Sequence, residues 1–189
     1  MSEHARFWSW FVAALPTLEA AYREDDVAAL AREVEAGLRS SGVGGRWEIG
    51  PLDEATCFFA FGAPDGERLA RNRALVAGAP EVPGWVFLAA KPPRRWQRRT
   101  LEVRSSVGLR EVDFDPWRFS ASRTNRGWVV RVLPVGAEGW SFHELDGLAW
   151  TLLDAELGEE RVIETVSDVV VVDSLDDGRS VARMKQRLV

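Results

Sequence analysis

Thr56-Cys57-Phe58-Phe59-Ala60-Phe61 is the stretch on which the reading of the fold turns. It is too short and too aromatic for a helix. Asp53-Glu54 bounds it on one side and Pro64-Asp65-Gly66 on the other, so it reads as a well-buried strand between turns. Just before it, Arg46-Trp47-Glu48-Ile49 reads as a partner strand. After it, residues 67–78 carry Leu69, Leu75 and Val76 on one helical face, and Pro80 and Pro83 close that helix. Trp85 to Ala90 is again apolar and stops at Lys91-Pro92-Pro93. The first half therefore reads strand–strand–helix–strand.

Two helices precede that unit. Phe7, Phe11, Leu15, Leu18 and Tyr22 recur at helical spacing, with Trp8 and Val12 widening the stripe. Pro16 lies too deep for a first turn, so a kink or break is expected there. The second helix is expected from Asp26 to Arg39, with Val27, Leu30, Ala31, Val34 and Leu38 inward. Asp25 or Asp26 supplies its cap, and Gly42 follows its end.

The second half repeats the order. Short strands are expected at 101–105 and 109–114. Trp117, Phe119 and Ala121 alternate with polar residues, Thr124-Asn125-Arg126-Gly127 makes a hairpin turn, and Trp128 to Leu133 returns. Ser141-Phe142-His143-Glu144 fits a capping box, and Phe142, Leu145, Leu148, Leu152 and Ala155 follow as the stripe of a helix over 142–157 that ends at Gly158. A strand is expected at 162–172, interrupted by Ser167-Asp168, and a short basic helix from Arg179 to Leu188. The expected class is α+β: two strand–strand–helix–strand, ferredoxin-like halves with mostly antiparallel sheet and two extra N-terminal helices. The halves are residues 1–90 and 101–189, joined by a basic linker at 91–100 and packed as one compact unit.

With 189 residues and 46% apolar content, the chain can bury a full core. Its single cysteine, Cys57, excludes a disulfide framework or a cysteine-rich metal site, and is expected as a small buried hydrophobe. No apolar run approaches a membrane span, and residues 1–10 lack the basic start and apolar run of a secretory signal, so a cytoplasmic protein is expected. The net charge of −5 argues against a dedicated nucleic-acid binder. The charge is uneven, however: residues 91–110 carry seven cations against Glu102, and residues 144–177 carry eleven acids against Arg161.

Four groups of residues together carry a resemblance: Phe7-Trp8-x-Trp10-Phe11; Trp47-Glu48-Ile49-Gly50-Pro51; Ala79-Pro80 with Trp85-x-Phe87 and Lys91-Pro92; and Leu153-Asp154 with Leu157-Gly158-Glu159. On these the chain resembles a group of uncharacterised bacterial proteins with a domain of unknown function. The resemblance implies a bacterial α+β protein and carries no catalytic residues with it. A looser similarity is to small ferredoxin-like bacterial regulators that bind another protein.

The sharpest lead is Lys91-Pro92-Pro93-Arg94-Arg95-Trp96-Gln97-Arg98-Arg99. Arginine forks bind carboxylate or phosphate, and an indole among them stacks on a base or a partner side chain. Lys91, Arg94, Arg95, Trp96, Arg98 and Arg99 are thus the candidate partner-binding residues. The competing reading is a linker whose arginines pair with the acidic second half. Trp47, Trp85, Trp117 and Trp128 read as core, whereas Trp8 and Trp10 cannot share one helix face. His143-Glu144-x-Asp146 lacks the second histidine of a zinc helix. Glu159-Glu160 reads as solvated charge, and Gly42-Val43-Gly44-Gly45 lacks the lysine of a phosphate loop. No catalytic residue, metal or cofactor is expected. A non-enzymatic protein-binding or regulatory domain leads, with an acidic protein partner or a homodimer. Nucleic-acid association through 91–99 and an enzyme site assembled from dispersed residues follow.

Overall fold

The computed structural model describes residues 1–188. The protein is α+β, and the chain divides into two compact units, the first Met1–Lys91 and the second from Pro92 onward.

In the first unit α1 (Glu3–Arg23) and α2 (Val27–Ser41) lead into β1 (Trp47–Pro51), β2 (Cys57–Phe61), α3 (Gly66–Val76) and β3 (Trp85–Leu88). Helix α1 continues through Pro16 without the expected break. Pro16 is exposed, and Ala14 and Leu18 anchor the turns around it in the core. Asp26 caps α2, accepting from the Ala29 N–H at 2.9 Å, and Gly42 ends it. The three strands lie in the order β1-β2-β3, with β1–β2 antiparallel and β2–β3 parallel. Phe7, Phe11, Phe59 and Phe61 form the aromatic centre of this core. The two N-terminal indoles separate as their spacing requires. Trp8 is buried and donates to the Leu75 carbonyl at 3.0 Å, while Trp10 is half-buried and lies over Gly37 of α2.

The second unit opens with a hairpin, β4 (Thr100–Ser105) and β5 (Gly108–Asp113), which forms its own two-stranded sheet. Then come β6 (Arg118–Thr124), β7 (Gly127–Leu133), α4 (Phe142–Leu157), α5 (Glu159–Thr165), β8 (Val166–Val171), β9 (Arg179–Ser180), a 3-10 turn Val181–Arg183 and α6 (Met184–Leu188). The larger sheet has the order β8-β7-β6-β9. Its β6–β7 hairpin is antiparallel and β7–β8 is parallel, the pairing that β1, β2 and β3 show in the first unit. Trp117, Phe119, Val130, Val132, Leu152 and Leu153 fill the core between this sheet and α4.

Three expectations are corrected here. The strand at 162–172 begins only at Val166, because Glu159–Thr165 is helical. Gly158, at φ 85°, lets α4 stop and α5 start at once. Glu159 and Glu160 then stand in the first helical turn, where acids are favoured; Val162 is buried, and so is Glu159, which is not the solvated charge expected of it. These local and tertiary terms outweigh the β-branched composition. The tail at 179–188 is not helical from its start: Arg179–Ser180 pairs with β6 before the helix forms.

Candidate functional site

The basic segment divides at the boundary between the units. Lys91 closes the first unit, with Nζ 3.6 Å from Glu48 Oε2. The rest is laid onto the second unit. The Arg94 N–H donates to the Ala155 carbonyl at 2.7 Å, fixing the segment to the last turn of α4. Trp96 is half-buried against the core, with its ring centroid 6.4 Å from that of Phe114, close to edge-on, and the Arg94 guanidinium lies 6.0 Å from the Trp96 ring. Arg99 Nε donates to Glu156 Oε1 at 2.7 Å, and its Nη1 lies 3.4 Å from Asp115 Oδ1. Burial works against the charge on Arg99, yet the bonds to Glu156 and Asp115 outweigh it and hold the guanidinium above its ordinary pKa. Of the six candidates, Trp96 and Arg99 are therefore built into the second unit, while Arg95 and Arg98 face solvent.

A different surface emerges at the tip of the β4–β5 hairpin. Val107 is 78% exposed, Leu109 65% and Phe142 69%. Glu144 holds them at one end of the unit. Its Oε1 accepts from Ser106 N at 2.8 Å and Ser106 Oγ at 2.9 Å. Its Oε2 accepts from Ser141 N at 2.9 Å and Ser141 Oγ at 2.7 Å. These bonds, the Ser106 backbone N–H foremost, bring the Glu144 carboxyl down to about 2. A second tie runs beside the first: Arg110 Nη1 donates to the Gly139 carbonyl at 2.9 Å and its guanidinium lies 3.9 Å from the Trp140 ring. The hairpin register puts Leu101/Val112 and Val103/Arg110 on one face and Glu102/Glu111 and Arg104/Leu109 on the other. Leu101, Val103 and Val112 pack on the core, so Leu109 and Arg104 share the outward face.

Glu144 is thus occupied by serines, and among the described residues no group of three or more His, Cys, Asp or Glu is placed to hold a metal ion. Among them also, no helix is long and apolar enough to cross a membrane.

Two clefts of the first unit bear on its chemistry. The larger, about 660 Å³, is lined by Glu35, Leu38, Arg39, residues 42–47 and Lys91. The smaller, about 490 Å³, is lined by Glu19, Tyr22, Arg23, Ala55, Cys57, Gly84 and Trp85. Cys57 is only half-buried there, and is not the enclosed hydrophobe expected from its apolar neighbours. Burial raises the Tyr22 hydroxyl pKa, with the adjacent Cys57 adding to it. Trp85 Nε1 donates to Glu19 Oε1 at 3.3 Å across the same wall.

Compared with known proteins, the chain matches no family model, no curated protein and no solved structure. Phe142, expected on the apolar stripe of α4, is exposed instead, so the Val107–Leu109–Phe142 surface is not legible in the sequence. The one signal available was the placement of Val107 and Leu109 in a turn and at a strand start, where apolar side chains have little local reason to sit.

Proposed function

We propose that the protein is a non-enzymatic protein-binding domain whose second unit engages an acidic partner protein. The observation that carries this reading is the exposure of Val107, Leu109 and Phe142 together on a braced end of that unit. Large apolar side chains gathered at one place, rather than scattered, mark interaction surfaces. The Glu144 bonds to Ser106 and Ser141 brace their support, which lowers the entropy cost of association. Arg104 supplies a cation beside Leu109 on the outward face, which it shares with Glu102 and Glu111. Arg95 and Arg98 are exposed near the other end of α4, where Arg94 is tied to Ala155, so a partner meets them only by spanning that helix.

Nucleic-acid association through 91–99 is the second reading, favoured by Arg95 and Arg98 in solvent. Trp96 counts against it, since its indole already packs on Phe114 and the core. We also infer that the two units are related ferredoxin-like halves. The support is their shared order, a hairpin whose second strand takes a third strand in parallel after a helical crossover.

The test is affinity capture by the full chain from native extract, with nuclease and at graded salt. The expected result is one stoichiometric acidic protein that survives nuclease. It is lost with Leu109→Ser/Phe142→Ser and weakened with Arg95→Ala/Arg98→Ala. Capture unaffected by the apolar substitutions overturns the proposal. Recovery of nucleic acid instead moves the assignment to the second reading, and self-association in sedimentation replaces the acidic partner with a homodimer.

A further inference from the structure

The larger cleft of the first unit is a site of another kind. Its walls come from the end of α2, the glycine-rich connection 42–45, the start of β1 and Lys91. At about 660 Å³ it has the size of small-molecule sites. Three cations line it, Arg39, Arg46 and Lys91, against one lining acid, Glu35. Arg39 is paired with Glu35 at 3.4 Å and Lys91 with Glu48 at 3.6 Å, so the excess positive charge of the cleft rests on Arg46. Arg46 is exposed at the rim.

The backbone on either side of the glycine-rich connection is held from outside the cleft. Arg6 donates from Nε and Nη2 to the Ser41 carbonyl at 3.2 and 3.0 Å. Arg68 Nη1 donates to the Gly44 carbonyl at 3.0 Å. The backbone at Gly44 is open, since a Cβ built there would meet nothing within 4 Å. Gly45, at φ 137°, takes a conformation that side-chain-bearing residues rarely adopt. Trp47 packs on the core, stacked at 14° on Phe59 with centroids 6.3 Å apart, but unlike Trp96 it also lines a cleft, and its half-buried indole leaves an aromatic edge there.

We propose that this cleft binds a small planar anion, its charged end met by Arg46, with Arg39 and Lys91 beside it, and its ring laid against the half-exposed edge of Trp47. Arg46 sets the sign of the ligand, since an arginine fork beside an open glycine backbone binds phosphate or carboxylate, and Arg39 and Lys91 add to it only by sharing their present carboxylate partners. The volume and the indole set the planar part, because a bare inorganic anion would leave both unused. The site is independent of the partner-binding surface on the second unit and stands or falls without it.

The test is NMR titration of the full chain with AMP, benzoate and inorganic phosphate as probes. AMP and benzoate distinguish phosphate-bearing from carboxylate-bearing ligands. The expected result is saturable shifts confined to the Gly44 and Gly45 amides and the Trp47 indole N–H, with one aromatic anion binding at least tenfold tighter than phosphate. Arg46→Ala, at an exposed position, weakens that binding about tenfold, and Trp47→Phe weakens it severalfold. Raised salt weakens it further. No saturable shift at millimolar probe, shifts centred elsewhere, or binding indifferent to Arg46→Ala overturns the proposal. Phosphate binding as tightly as the aromatic anions overturns the planar part.

Discussion

Arg99 Nε donates to Glu156 Oε1 at 2.7 Å, and the two differ sharply in setting: the Glu156 side chain is 1% exposed and that of Arg99 23%. Glu156 Oε2 is also buried and has no protein partner. The compensation of a fully desolvated carboxylate therefore rests on one guanidinium reaching in from the surface. Removing one member of a buried pair leaves an uncompensated charge, which costs more than the intact pair contributes. Arg99→Met is expected to destabilise the protein by about 3 kcal/mol. Glu156→Gln should cost less, since its amide oxygen still accepts from Arg99. The double variant Arg99→Met/Glu156→Met should recover much of the loss. Denaturant midpoints of the four proteins check this; equal losses for Arg99→Met and the double variant would refute it.

The exposed and embedded parts of the basic segment should separate cleanly. Arg95→Ala and Arg98→Ala touch side chains in solvent and should change stability by no more than about 0.5 kcal/mol. Trp96→Ala removes an indole packed on Phe114 and should cost about 2 kcal/mol. Thermal unfolding of the three single variants measures the difference. A stable Trp96→Ala protein would show that the segment is only loosely laid on its unit.

The same contrast explains what the sequence makes legible. The Ser141–Glu144 capping box could be read because both partners lie within one turn, and it forms as written. The strand–strand–helix–strand order was readable because apolar periodicity and turn residues are local signals. The Arg99–Glu156 bond spans 57 residues, so only the general attraction between a basic and an acidic region could be anticipated. Val162–Thr165 misled because β-branched side chains speak for a strand, while the Gly158 junction and burial of Val162 act from outside that window. The cleft of the first unit escaped for a similar reason. Lys91 was read with the arginines that follow it, yet it lines a cleft with Arg39 and Arg46.

Glu144 gives the hairpin brace a pH limit. Its carboxyl is held down to about 2 in the folded protein, against about 4.3 for an unfolded glutamate. A depressed folded value means that the stabilisation is complete above the unfolded value and is lost as pH falls through the folded one. The brace should therefore persist at pH 4 and open only as pH approaches 2. The Ser106 amide reports it directly: its NMR shift should titrate with a midpoint near 2. A midpoint near 4 would mean that the four hydrogen bonds to Glu144 do not form in solution.

Gly37 offers a prediction whose sign runs against helix propensity. In the interior of a helix, alanine is ordinarily favoured over glycine by about 1 kcal/mol. Gly37 lies within α2, and a Cβ there would run into the Trp10 ring of α1. The ring has little freedom to retreat, since it packs near Phe7 at 5.4 Å and Phe11 at 6.0 Å. Overpacking of this kind costs about 1–3 kcal/mol, enough to cancel the propensity gain. Gly37→Ala should lower stability, and Trp10→Leu should relieve the clash and restore part of it. Denaturation of the single and double variants decides the matter: a Gly37→Ala protein more stable than the parent would show that α1 and α2 are not locked together through this contact.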